Sequence, residues 1–165
     1  MTENQALDRT GEWEMLRQRH LKAAEVRPAS TARGVHHLAL LSSDVEQTIR
    51  FYQDILGFPL TELFENRDYE GSTHFFFDIG NGNLLAFFDF PGLDLVPYRE
   101  VLGSMHHLAI SVPAEHHGHL RQALIDNDVE IEFEYDTSLY FRGPDNERLE
   151  LIADDLGQMY GDPVM

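Results

Sequence analysis

The chain contains no cysteine. That absence excludes disulfides, thiolate zinc sites, iron–sulfur clusters and cysteine nucleophiles in one step. Basic residues are scarce as well: 12 Lys and Arg stand against 29 Asp and Glu, a net charge of −17. A surface so negative repels phosphate backbones and anionic headgroups, which argues against nucleic acid and membrane as partners. No apolar run approaches the ~20 residues of a membrane span, and the first 30 residues are too polar for a secretory signal. The expectation is a soluble, cytoplasmic protein. With 165 residues, 42 % of them apolar, the chain fits one compact domain. A domain of that size buries roughly 68–70 % of its unfolded surface and needs no covalent staples.

What is present is a repeat. Residues 1–33 stand apart: Trp13, Leu16, His20 and Ala24 recur at helical spacing within Glu12–Val26, with Pro28 as a stop. The spacing predicts one amphipathic helix, packed on the body or on a partner subunit, leading into the linker Ala29–Gly34. After it, Val35-His36-His37-Leu38-Ala39-Leu40 corresponds to Met105-His106-His107-Leu108-Ala109-Ile110, seventy residues on. Each run has strand length and precedes a polar break with an acid, Ser42-Ser43-Asp44 or Pro113-Ala114-Glu115. A helical pattern follows each break, through Ile49, Phe51-Tyr52 and Ile55-Leu56 in one copy and Leu120 and Ala123-Leu124 in the other. Three strand-like stretches then close each half: Leu60–Glu65, Thr73–Ile79 and Asn83–Phe88, and later Val129–Tyr135, Leu139–Arg142 and Arg148–Ile152. Asn81-Gly82 is a strong hairpin signal, and Gly143-Pro144-Asp145-Asn146 supplies the matching turn.

The order β-α-β-β-β therefore appears twice, too long a period for a solenoid. The expected organisation is an extension and linker (1–33), a first module (34–99), a second module (100–153) and an acidic tail (154–165). The fold class is α+β: two tandem βαβββ modules forming a curved mixed sheet around a central cleft, plus an N-terminal helix.

Paired histidines at repeat-equivalent positions are the chemical signal. One isolated strand histidine is usually an ordinary sheet residue; two His-His pairs followed by the same apolar pattern reverse that judgement. Imidazole is the commonest metal ligand. Alternate strand residues face opposite sides, so one histidine of each pair points into the cleft. His37 and His107 share faces with the small residues Ala39 and Ala109 and are chosen, leaving His36 and His106 on the helix-covered side or its edge. Glu150 sits inside the apolar strand Arg148–Ile152, where an unpaired carboxylate is costly. Aligning Asn81 with Asn146 sets Leu85 opposite Glu150. Two histidines and one carboxylate describe a non-haem Fe(II) centre.

These residues carry a resemblance. The chain from Gly34 to about Ala153 resembles the vicinal-oxygen-chelate superfamily of glyoxalase I, fosfomycin-resistance proteins, bleomycin-resistance proteins and extradiol dioxygenases. The marks are His37-Leu38-Ala39-Leu40, Asp44, Phe51-Tyr52-Gln53-Asp54-Ile55-Leu56-Gly57-Phe58, His107-Leu108-Ala109-Ile110 and Tyr140-Phe141-Arg142-Gly143-Pro144-Asp145-Asn146 before Leu149-Glu150-Leu151. The resemblance implies a divalent metal on His37, His107 and Glu150, Fe(II) foremost, with Mn, Zn or Ni as alternatives. The fourth position that glyoxalase I fills with a ligand holds Leu85, or Ala86 or Phe87 if the register shifts. Three-ligand members include the extradiol dioxygenases and the fosfomycin thiol transferases. Tyr140, ten residues before Glu150 in a Leu-Tyr-x-x-x-Pro context, is similar to the extradiol active-site tyrosine. The histidines that pattern expects upstream of Tyr140 and near the first module's last strand are missing, and His74 is the candidate substitute acid/base. Phe75–Phe77, Phe87-Phe88 and Phe90 suit an aromatic pocket or a core; His116, His117 and His119 read as a solvated helix face.

The expected activity is an Fe(II) extradiol-type dioxygenase acting on a small catecholic or vicinal-oxygen substrate, as a homodimer. The alternatives are a Lewis-acid isomerase, epimerase, lyase or thiol transferase, and a metal-free binding protein of the bleomycin-resistance kind.

Overall fold

The structure, a computed structural model, describes residues 8–165. Helix α1 spans Thr10–His20 and is shorter than the periodicity predicts; Leu21 turns extended, and Ala24–Val26 form a separate 3₁₀ turn. None of its residues is buried, and Trp13 and Leu16 of the expected stripe are 46 % and 42 % exposed. No helix among the described residues is long and apolar enough to cross a membrane. Residues 34–164 form a separate compact unit.

That unit contains the repeat. The first module runs β1 (His37–Leu41), α2 (Val45–Ile49), β2 (Leu60–Glu65), β3 (Thr73–Asp78) and β4 (Leu84–Phe88). The second runs β5 (Leu108–Ser111), α3 (Ala114–Asp126), β6 (Ile131–Glu134), β7 (Ser138–Arg142) and β8 (Arg148–Ile152). Each makes its own four-stranded sheet, ordered β1-β4-β3-β2 and β5-β8-β7-β6. No ladder joins the two sheets among the described residues, so each of the two expected modules builds its own sheet. The first strand of each module pairs parallel with its last, the helical crossover making that geometry reachable, and the remaining pairs are antiparallel. The repetition extends to defects: each module has a bulge near the start of its second strand, at Leu60/Glu62 and at Ile131/Phe133.

Local chemistry explains the elements. Asp44 caps α2, its carboxylate accepting from the Gln47 N–H at 2.9 Å. The helix then widens into a π-helical turn, Arg50–Ile55, in which Leu56 N–H donates to the Phe51 carbonyl. That widening buries both Phe51 and Tyr52. Asn81 and Gly82 take φ of 53° and 71°, the two left-handed positions that a tight hairpin requires. Residues 154–165, expected as a tail, carry a small hairpin of β9 (Gln158–Met159) and β10 (Asp162–Pro163).

One apolar cluster underlies both modules. Phe75, Phe77, Leu85 and Phe87 from the first sheet and Leu139, Phe141, Leu149 and Leu151 from the second are essentially solvent-free and share a core with Tyr52 and Leu124. Burying each large side chain is worth roughly 1.5–3 kcal/mol. A polar tie crosses it: the Tyr52 hydroxyl donates to Oε1 of Glu147 at 2.6 Å, and the Asp145 N–H donates to Oε2 at 2.9 Å. Burial pushes the Glu147 carboxyl up and, with the nearby carboxylates, the Tyr52 phenol far up.

Two outcomes follow. A Cβ at Gly143 falls onto the Glu147 carboxylate, so Gly143→Ala should cost about 1–3 kcal/mol in a denaturant titration. Because the folded-state carboxyl of Glu147 lies above its ordinary value of 4.5, its stabilising share is complete below that pH and declines as pH rises through the folded value. The stability of Glu147→Gln relative to the native chain should therefore rise from pH 4 to neutrality; a flat difference contradicts the assignment.

Candidate metal centre

The last strand of the second module sets the geometry. In β8, Leu149 and Leu151 point into the core, so Glu150 and Arg148 face the other side. Parallel pairing sets Ala109 of β5 opposite Glu150, and His107 precedes Ala109 by two, on the same face. The small Ala109 leaves room, and His107 Nε2 comes within 3.0 Å of Glu150 Oε2. Glu150 is only 4 % exposed, whereas His107 is half-buried at the edge of the face. Tyr140 lies directly across from Glu150 in β7, with its ring 5.5 Å from that of His107. Burial first, then the hydrogen bond to Glu150 and its charge, push the Tyr140 phenol up to about 12. It therefore stays protonated at neutral pH and can donate.

The first module repeats the frame with different chemistry. His37 pairs with Leu84 and Ala39 with Ala86, so the residue equivalent to Glu150 is Ala86. This corrects the Leu85 alignment by one residue: Leu85 is a core residue, the turns 79–83 and 143–147 are equal in length, and the counterpart of Asn146 is Gly82, which shares its left-handed φ, rather than Asn81. Alanine brings no donor, so this half contributes one histidine. Phe76 occupies the place of Tyr140, and His74 that of Ser138.

His74 sits level with Phe88 and Leu41, at the opposite end of β1 from His37. Its ring stacks on Phe88 at 3.8 Å, lies 4.2 Å from Phe76 and meets Phe64 edge-on at 5.3 Å. Nε2 of His74 is buried without a partner, and burial, aided by His37, lowers the pKa, which keeps the ring neutral.

The structure thus brings together His107, Glu150 and Tyr140, and places His37 and His74 on the other sheet. Among the described residues, no three His, Asp or Glu side chains of one chain gather as a metal-binding group. The donor chemistry of the pair nevertheless fits a divalent cation: a neutral imidazole nitrogen and a desolvated carboxylate oxygen. Their 3.0 Å separation matches the roughly 3 Å between adjacent ligands each about 2.1 Å from a six-coordinate ion.

Sequence reasoning missed the neighbours. His36 and His106, assigned to the helix-covered side or its edge, are exposed, and their Nδ1 atoms meet Nδ1 of His37 at 2.9 Å and of His107 at 2.7 Å. With His106 accepting from His107, the His107 Nε2 is left as a lone-pair donor, the tautomer that a metal needs. The doubled His-His motif was the available signal. Arg148 reaches Oε1 of Glu100 at 2.9 Å and Oε2 of Glu132 at 3.2 Å, and Arg142 reaches Oε1 of Glu132 at 2.8 Å. Arg142, more than Arg148, holds the Glu132 carboxyl below its usual range. No spacing in the sequence announces this cluster.

A buried acid with one imidazole partner contributes little to stability and much to ligand binding. In the presence of chelator, Glu150→Leu should melt at or above the native temperature, since leucine suits a strand between Leu149 and Leu151. A loss above about 1 kcal/mol would make the carboxylate a structural group.

Comparison with known proteins agrees with this architecture. Residues 34–151 match the family model of the Glyoxalase/Bleomycin resistance protein/Dioxygenase superfamily. Over 140 residues the chain is 28 % identical to the protein named "Putative ring-cleaving dioxygenase MhqA" of Bacillus subtilis (strain 168), covering 79 % of this chain and 43 % of that protein. The chain therefore spans under half the length of that relative. Among solved structures, a glyoxylase/bleomycin resistance protein/dioxygenase domain from Frankia sp. EAN1pec superposes with a TM-score of 0.65 at 21 % identity, covering 76 % of this chain and 100 % of the other. A mutant of the fosfomycin resistance protein FosX from Listeria monocytogenes, complexed with Mn(II) and 1S,2S-dihydroxypropylphosphonic acid, gives 0.58 at 22 % identity, with 76 % and 96 % covered. Twin βαβββ modules, parallel closure of each by its first and last strands, and the family match over both modules make this chain a member of the Glyoxalase/Bleomycin resistance protein/Dioxygenase superfamily.

Proposed function

We propose that the chain is a metal-dependent enzyme that opens the ring of a small aromatic diol with O2. His107 and Glu150 of one copy and His37 of a second copy hold the ion, Fe(II) foremost, with Mn, Zn or Ni as alternatives. The observation that carries this reading is the His107–Glu150 pair, 3.0 Å apart on a sheet face that also presents Tyr140. The likeness to a relative named as a ring-cleaving dioxygenase supports the reaction class.

The second copy follows from the half-sites. At the position of Glu150 the open face of the first module holds Ala86, on the same face as His37, while that of the second offers His107 and Glu150. Two copies placed first module against second module complete the set twice, as a two-fold axis requires. The exposed apolar residues Leu41, Phe64, Phe133 and Tyr135 would be covered by the same pairing.

When bound, a divalent ion supplies Lewis-acid polarisation of the diol oxygens and, as iron, one-electron chemistry toward O2. The chain's residues do the rest. Tyr140 donates a hydrogen bond to a substrate oxygen, its proton retained by its high pKa. His106 fixes the tautomer of His107 through the Nδ1 contact. His74, stacked on Phe88 and held neutral, packs with Phe64 and Phe76 on the open face of the first sheet, and no proton transfer is assigned to it.

Anaerobic loading with Fe(II), followed by oxygen uptake on a panel of catechols, tests the reaction. Uptake coupled to ring opening is expected; bound metal without uptake on any diol, or turnover of an epoxide or thiol adduct without O2, overturns it. The shared site has its own readout. His37→Ala and Glu150→Ala should each be inactive, and an equimolar refolded mixture should recover about one quarter of native activity, since half the dimers are mixed and each has one intact site. No recovery places all ligands in one copy.

A further inference from the structure

The open face of the second module carries a cavity of about 780 Å³, and one of its walls plays no part in the mechanism above. That wall is the turn between β9 and β10. Met159 pairs with Asp162, which leaves Tyr160 and Gly161 as the central residues, with φ of 56° and 80°. A two-residue turn with both positions left-handed favours Asn-Gly, because a Cβ there crowds the carbonyl. The chain follows that rule elsewhere: Asn81-Gly82 builds one hairpin, and Asn146 takes the left-handed position before β8. Tyr160 breaks it. A bulky side chain at positive φ is strain that persists where something else demands it.

Packing within the chain does not demand it, since Tyr160 is 88 % exposed. The backbone beneath is nonetheless held. Gly161 N–H donates to Oδ2 of the buried Asp154 at 3.3 Å, Val164 N–H donates to the Gly157 carbonyl at 2.9 Å, and the Ser111 hydroxyl donates to the Asp154 carbonyl at 2.7 Å. A fixed turn therefore presents one outlying ring to the cavity that contains Tyr140, Tyr135 and Phe133. Tyr140 in turn leads to His107 and Glu150.

We propose that Tyr160 is a specificity-determining residue whose ring covers the ring of an uncharged aromatic diol in this cavity, a deepening that rests on the ring-cleaving reading. The charge requirement comes from the lining. Asp136 and Asp154 are carboxylates, and the two groups that can carry positive charge both face acids: Arg148 is engaged by Glu100 and Glu132, and His106 lies 4.0 Å from Glu100. A carboxylate or phosphonate on the substrate finds no unengaged cation there.

Calorimetry under argon on the Zn(II)-loaded chain, which cannot turn over, tests this with 4-tert-butylcatechol and 3,4-dihydroxybenzoate as probes. The neutral diol should bind at least about 10-fold more tightly than the carboxylated one, given the charges of the lining. Tyr160→Phe should keep Kd within about twofold, while Tyr160→Asn should raise it about 5–10-fold, the scale of one lost ring–ring contact. Because Asn suits the turn, Tyr160→Asn should melt no lower than the native chain, which separates ring loss from unfolding. Equal Kd for Tyr160→Asn and the native chain, preference for the carboxylated probe, or no catechol binding to the native chain overturns the proposal. The two readings fail separately. Absent ring cleavage with the calorimetric loss intact removes the reaction and leaves Tyr160 in place; cleavage with an unchanged KM in Tyr160→Asn does the reverse.

Discussion

The parallel pairing of first and last strands governs both modules. Without β1 against β4 and β5 against β8, each module would keep only a three-stranded antiparallel meander, and the strand that carries its histidine pair would have no ladder. Pairing of this kind also fixes side-chain parity, because a one-residue slip turns every side chain over. In the second module parity sends Leu149 and Leu151 inward and Glu150 outward, opposite Ala109. The candidate metal pair is thus a consequence of the register that builds the core. Both depend on the same backbone hydrogen bonds.

Duplication then allowed the two halves to diverge. Position for position, Ala86 stands for Glu150, Phe76 for Tyr140 and Leu84 for Arg148. The first module keeps His37 without a neighbouring acid at the Glu150 position and presents Phe76, Phe88 and His74 instead; the second gathers the acid, the phenol and the ion-paired arginine. Each buried charge in the second half has a named partner, as burial requires. Glu150 has the Tyr140 hydroxyl, and Glu147 has the Tyr52 hydroxyl and the Asp145 N–H. The Glu147 tie also joins the halves, since Tyr52 belongs to the first module.

Much of this was legible in the residues. The doubled His-His-Leu-Ala run located both first strands and selected His37 and His107 by parity alone, and the apolar flanks of Glu150 marked it as out of place. Strand boundaries came within two residues almost throughout. The register of β4 was read one residue off, because Asn146 was matched to Asn81 by residue type whereas the folded turns match it to Gly82; Ala86, not Leu85, is the counterpart of Glu150. Helix α1 was read too long, since apolar spacing alone does not show where a helix stops. The role of Tyr160 was invisible, because its left-handed φ and its cavity exist only once the chain is folded.

By itself the sequence determined the class of architecture and the donor types, because periodicity and residue chemistry are local properties that survive without coordinates. The tertiary structure alone decided which donors meet. His107 and Glu150 lie forty-three residues apart and join only because a helix returns the chain beside its own first strand. His37 obeys the same rule in its own module and is thereby carried to a different sheet. Proximity across long sequence separations is set by strand order and shared burial, and no local pattern encodes it.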